Sequence, residues 1–351
     1  MNSTLKSILV PIVAILLGFL VGGIIMILCG YDAILGYQSL FNGIFSNSYF
    51  MGESIVKITP LILSGLAVAF AFRTGLFNIG VEGQFIVGWT AAVYVGTHFE
   101  GLSKVVHLPL AILAAAVGGA LWALLPGILK AYLRVHEVVV TIMMNYIALH
   151  VTNWFIQEKM AAGGGTNTSE RVFQTASLSW KQFSDWTAFS RLHWGILVAL
   201  IAALIYWFIL EKSKVGYELR SVGFNHHASQ YAGMNVSKNI ILAMLISGAF
   251  AGVAGAMEGL GTFQYAAVKG GFTGVGFTGI ATAFIGANTA LGVVLASFLF
   301  GGLQFGSLNM PYNSQVPTEL VAVVIALIIY FIASNYSIRT LLDKIFTKGA
   351  K

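Results

Sequence analysis

Mainly apolar stretches recur along the whole sequence at about 20 residues each, the length at which a helix rising about 1.5 Å per residue crosses about 30 Å of hydrocarbon. This recurrence limits the chain to a polytopic membrane architecture. Across 351 residues only 9% are charged and 57% are hydrophobic, whereas a soluble domain carries about 25% charged residues. A water-soluble core is therefore excluded. The expected fold is all-α, a polytopic transmembrane helix bundle read as one domain over 1–351. Its 40 glycines suit such a bundle, because small residues let helix backbones approach closely where lipid offers no hydrophobic drive for association.

Spans are expected near residues 8–29, 55–72, 79–96, 108–129, 138–157, 193–210, 239–259, 275–287, 289–306 and 318–334, about ten crossings in all. The first stretch is too long for a signal-peptide core and lacks a small-residue cleavage site. The eighth is too short to cross alone, so it is a broken helix shielded by neighbours or a re-entrant segment. Cys29 is the single cysteine, which rules out an intrachain disulfide and argues against a cysteine-based metal site. With the N-terminus inside, twelve of the 19 Lys and Arg residues fall on the inner side, the pattern of cytoplasmic loops. Both termini are then cytoplasmic, and the formal charge of +6 is accounted for by anionic inner-leaflet lipid.

Two polar segments are long enough to matter. Residues 158–192 face outward and either dock a delivery protein or connect two spans. Residues 211–238 face the cytoplasm, with Gly216, Gly223 and Gly233 as breakers around runs long enough for one or two helical turns. By composition alone the inner segment is a solvated connector or a short helix lying along the membrane, suited to being pushed by another protein.

The inner segment, EKSKVGYELRSVGFNHHASQYAGMNVSKN, resembles the coupling loop of permeases of the branched-chain amino acid, ribose and nucleoside group of ABC importers. Gly216, Arg220, Ser221, Val222, Gly223, Asn225, Ala228, Ser229, Gly233, Met234 and Asn235 carry the match, while His226 and His227 depart from the turn-forming residues usual there. A second string, RTGLFNIGVEGQF over 73–85, resembles a signature of the same group. A third, HEVVVTIMMNYIA over 136–148, is similar to its nucleoside and simple-sugar branch.

These strings also have local readings. Asn78 can cap a helix, and Glu82 and Gln84 open an apolar run with polar groups. An ionised Glu at mid-membrane is costly, so Glu82 is expected near an interface or in a wet cavity. Thr141 and Asn145 are four apart and share a helix face, which either lines a pore or hydrogen-bonds neighbouring helices. Gly248, Gly252 and Ala256 form a small-residue stripe for packing, with Gly255 and Gly259 on another face.

Chemistry is not expected in this chain. The Gly-rich run 270–286 lacks the Gly-Lys-Ser/Thr ending of a nucleotide phosphate loop, and there is no His-Glu-x-x-His pair or nucleophile with an evident base. An ion-coupled carrier would need a buried relay. Lys57, Arg73, Glu82, Glu137 and Glu258 read as lying near span ends, which leaves His150 as the main deep candidate.

The resemblance implies a type II ABC importer permease that passes a nucleoside, or a simple sugar such as ribose, by alternating access. It implies coupling to an ATPase through Gly216, Glu218, Arg220, Ser221, Gly223, Asn225, Ala228 and Gly233. Pathway candidates are Asn78, Glu82, Gln84, Thr141 and Asn145. ATP and Mg would sit on a cytoplasmic ABC ATPase, with no cofactor in this chain. The further partners implied are a second permease, unlike or identical, and an extracytoplasmic solute-binding lipoprotein in a bacterial inner membrane. Spans two to five and seven to ten are then read as inverted halves, with the Gly-broken third and eighth spans in corresponding positions.

Overall fold

A computed structural model describes residues 3–163 and 166–334. Arg339, Lys344, Lys348 and Lys351, all counted on the inner side, lie outside the described residues, as do Gly164, Gly165 and the C-terminus. The helices are α1 (Ser3–Leu28), α2 (Ala33–Phe45), α3 (Ser48–Arg73), α4 (Val81–His98), α5 (Lys104–Leu133), α6 (Glu137–Phe155), α7 (Lys181–Trp186), α8 (Gly195–Trp207), α9 (Lys214–Phe224), α10 (His226–Tyr231), α11 (Val236–Ala256), α12 (Val275–Ile285), α13 (Ala290–Gly306), α14 (Met310–Ser314) and α15 (Thr318–Ala333). Three π-helical turns, Ile156–Met160, Phe208–Lys212 and Met257–Thr262, extend α6, α8 and α11 at their C-terminal ends.

Among the described residues, seven helices are long and apolar enough to cross a membrane. The expected ten crossings are not reproduced, for local reasons. Residues 79–96 form α4, whose first turn carries Glu82 and Gln84. Residues 275–287 give α12, only 11 residues long, about half the rise a crossing needs. Residues 318–334 give α15, of 16 residues. The helix α2 was not anticipated; Asp32 starts it by accepting from the N–H groups of Ile34 (2.9 Å) and Leu35 (3.0 Å).

The chain divides into two compact units, Met1–Ser54 with Leu299–Lys351, and Ile55–Phe298. In the first, α1 lies along α15, with Gly18 and Gly22 set against Ile328 and Val324. In the second, α11 is the central helix and packs on both α4 and α5. Gly248 and Gly252 bring its backbone against α5 at Ala115, Gly119 and Ala123, while Gly255 and Gly259 face Phe85 and Trp89 of α4. The two small-residue faces read from the sequence therefore serve two different neighbours. Segment 158–192 folds back over 260–268 through backbone bonds, among them Val172 N to Gln264 O (2.9 Å), Leu178 N to Leu260 O (3.0 Å) and Ser169 N to Ala266 O (2.8 Å).

Candidate functional site

The irregular run between α3 and α4 gathers the polar residues read as pathway candidates. Asn78 is fully buried, and its amide donates to Gln84 Oε1 (2.9 Å) and Ser247 Oγ (2.9 Å) while its oxygen accepts from Gly80 N (2.9 Å). The Ser247 hydroxyl in turn donates to Ala67 O (2.7 Å). From α6, Asn145 accepts from Gly83 N (2.8 Å) and donates to Ile79 O (3.0 Å). A non-helical backbone in lipid survives only when its polar groups are satisfied by protein or water, and these amides supply the protein part. Thr141, one turn before Asn145, donates to Glu137 O (2.8 Å) and packs beside Gly80. On the shared face, Asn145 bonds across to the junction while Thr141 bonds within its own helix and meets Gly80 by packing alone.

Glu82 is fully buried within the packed helices. Its Oε1 accepts from Thr273 N (2.5 Å), Thr273 Oγ (2.6 Å) and Gly274 N (3.1 Å), and its Oε2 from Gly276 N (2.7 Å). These groups open α12, so the carboxylate lies on the positive end of a helix dipole with its lone pairs filled by charge-assisted bonds. That arrangement replaces hydration and makes burial tolerable. Two helices that begin inside the unit, α4 and α12, meet at their first turns around one side chain.

Glu258, also read as lying near a span end, is buried in the π-helical turn Met257–Thr262, and its Oε2 has no hydrogen-bond partner among the described residues. Lys57, Arg191 and Lys269 are the cations near it. Lys269, in the loop before α12, places Nζ 3.7 Å from the centre of the Trp89 ring. Burial pushes its ammonium down to about 8, against the pull of Glu258 and Glu82. His150 lies exposed on the outside of α6. His107 on α5, not singled out in the sequence, is instead buried, bonding Thr175 Oγ (2.8 Å) and Val95 O (3.0 Å).

Residues 211–238 form two short helices with named caps before α11 begins. Ser213 accepts from Gly216 N (3.0 Å) to start α9. Asn225 breaks α9 in extended backbone and accepts from His227 N and Ala228 N (both 3.0 Å) to start α10, so His226 and His227 are its first residues. Leu219, Val222 and Ser229 point inward. Glu218 faces Lys214 at 4.0 Å. Outward stand Tyr217, Phe224 and Tyr231, the last two more than nine-tenths exposed. These aromatics were passed over in the sequence, although large rings in a polar loop are a visible signal of a contact surface.

Two links tie this segment to the polar junction. Glu211 bridges Arg220 Nη1 (2.8 Å) and Arg73 Nη2 (2.6 Å). Gly223 lies against Thr74 and Gly75 so closely that a Cβ on Gly223 would stand 2.7 Å from Thr74 C, and one on Gly75 would stand 2.7 Å from Gly223 Cα. From Gly75 the chain needs three residues to reach Asn78.

Because the bridge is about one-third exposed, each pair contributes about 0.2–1 kcal/mol and is screened by salt. Glu211→Gln is expected to lower stability by about 1 kcal/mol in 50 mM salt and less in 500 mM, measured by thermal unfolding in detergent. Arg220→Glu, which sets two carboxylates together, is expected to lose more in low salt. Equal melting of all three proteins at both salt levels would show that the bridge carries nothing.

A multi-pass helical protein whose exposed aromatic segment is wired by backbone contact to a buried polar junction is built as a membrane transport subunit. The chain belongs to the family described as branched-chain amino acid transport system / permease component, whose pattern matches residues 50–333. It is 60% identical to the guanosine ABC transporter permease protein NupP of Bacillus subtilis (strain 168), covering 100% of both chains. It is 37% identical to the nucleoside ABC transporter permease protein NupB of Lactococcus lactis subsp. cremoris, over 98% of this chain and 95% of that one. It is also 28% identical to a second guanosine permease of Bacillus subtilis, NupQ, over 77% of this chain and 86% of that one.

Proposed function

We propose that this chain is one permease subunit of an ATP-driven importer of nucleosides, with guanosine the first candidate solute. The observation that carries the coupling is the backbone contact of Gly223 with Thr74 and Gly75, which joins the exposed α9–α10 segment to the junction holding Asn78, Glu82 and Gln84. A cytoplasmic ABC ATPase, which binds ATP and Mg, presses on Tyr217, Phe224 and Tyr231. The pathway opens where α4 and α12 meet, framed by Asn78, Glu82, Gln84, Thr141 and Asn145, and the two halves that carry these helices are inverted repeats. The chain is similar to two different guanosine permeases of a single organism, which supports pairing with an unlike second permease. An extracytoplasmic lipoprotein delivers the solute. The charge distribution supports a bacterial inner membrane with both termini cytoplasmic.

An ATPase can bias the inward-open and outward-open states only by its differential affinity for the two. The test is reconstitution of this chain with ATPase, second permease and delivery lipoprotein in proteoliposomes. Labelled guanosine is expected to accumulate only with internal or external ATP available to the ATPase, to resist a protonophore, and to be displaced by other nucleosides before ribose or leucine. Displacement by ribose at equal or lower concentration would shift the solute class to simple sugars. Proton-driven accumulation by this chain alone would overturn the importer reading.

A further inference from the structure

A pocket of about 390 Å³ lies between segment 174–192 and residues 261–264. It sits at the end of α8 opposite the α9–α10 segment, because 174–192 precede that spanning helix and α9 follows it. Its volume is within the range of small-molecule sites, about 300–1,000 Å³. The lining combines the neutral hydrogen-bonding groups of Gln174, Ser184 and Gln264 with the cations Lys181 and Arg191 and the aromatic wall of Trp180.

Three observations mark the pocket as built. Trp180 is held in place by a stacked Trp194 (4.5 Å between ring centres) and an edge-on Phe183 (4.4 Å). The two walls are pinned to each other by backbone bonds, Leu178 N to Leu260 O and Val172 N to Gln264 O. Three non-glycine residues around it hold left-handed backbone, Ala188 (φ 47°), Phe189 (φ 65°) and Gln264 (φ 62°). Such conformations cost energy and persist where the surroundings impose them, commonly at ligand sites. Carboxamides offer a donor and an acceptor side by side, the pattern displayed on the edges of purine bases, and aromatic rings accept bases by stacking.

We infer that this pocket is an outer receiving site for the neutral, hydroxylated heteroaromatic solute, occupied between release by the delivery protein and entry to the pathway. The inference rests on the transport reading above and adds the place where the solute first meets this chain. Its floor is the end of the π-helical turn that carries Glu258, so an occupant lies beside the one irregular turn that leads from the pocket into α11.

The test uses the whole importer without its delivery lipoprotein, in a Cys29→Ser background that removes the single native thiol. Ser184→Cys, within the pocket, and Glu170→Cys, exposed and outside it, are each labelled with a maleimide. Millimolar guanosine is expected to slow labelling at position 184 at least fivefold and leave position 170 unchanged, while leucine does nothing at either. Gln264→Asn and Gln174→Ala are expected to raise the guanosine concentration for half protection about tenfold. Unprotected labelling at 184 in a preparation that imports guanosine once the lipoprotein is added back overturns the pocket and leaves the transport reading standing. Protection in a preparation whose ATP-driven uptake still fails after the lipoprotein is added back supports the pocket and overturns the transport reading.

Discussion

Gly223→Ala is expected to insert and accumulate at the wild-type level while ATP-driven uptake falls about five- to 150-fold, the range that 1–3 kcal/mol of lost coupling produces. The added methyl group would meet Thr74 C at 2.7 Å and Gly75 N at 2.8 Å. Both are backbone atoms, so no rotamer relieves the overlap and the α9–α10 segment must move off the junction; overpacking of this kind costs about 1–3 kcal/mol. Gly75→Ala should act in the same direction with an added strain, because its φ of 76° disfavours any side chain. Gly233→Ala is the comparison: its φ is 84° but nothing stands within 4 Å of an added Cβ, so it pays strain alone. Measured quantities are insertion, copurification of the ATPase, and uptake per ATP hydrolysed. Uptake within twofold of wild type in Gly223→Ala would show that the two segments are merely neighbours.

Glu82→Gln is expected to destabilise the subunit by about 3 kcal/mol and to abolish uptake. The carboxylate accepts from four donors at the start of α12. A carboxamide keeps one oxygen and sets its NH₂ against N–H groups that already donate. Hydrogen bonds to charged groups are worth about 1.5–3 kcal/mol each, and a buried donor left unpaired costs about 1–3 kcal/mol. The expected fall in Tm is about 5–10 °C, read by thermal unfolding of purified protein. Glu82→Asp keeps the charge but shortens its reach, and should recover part of the stability. Unchanged melting in Glu82→Gln would show that α12 is anchored elsewhere.

The segment 211–238 was the most legible part of the chain, because its structure is set locally: Ser213 and Asn225 cap helices within three residues of themselves. The pairing of Thr141 with Asn145 on one face was likewise fixed by helical spacing. What they face was not legible. The partner of Glu82 is 191 residues away at Thr273, and no periodicity names a partner. Membrane burial adds a second obscurity. Lipid is as apolar as a protein core, so a spanning helix shows no amphipathic stripe to mark its inner side. That is why His150 drew notice although it lies exposed, and His107 drew none although it is buried. The shortfall in crossings has the same origin: an apolar run reports affinity for lipid, while the length of α12 was set by glycines at either end.

The meeting of Gly223 with Thr74 and Gly75 has a mechanical consequence. No hydrogen bond joins these residues among those described, so the contact is a strut: it carries compression from the α9–α10 segment into the junction and gives way under tension. The Glu211 bridge between Arg73 and Arg220 resists separation and is therefore a tether. Push and pull travel by different chemistries. Salt should slacken the tether and leave the strut stiff, so under the proposed coupling the return stroke, and not the driven one, is expected to be the ionic-strength-dependent half.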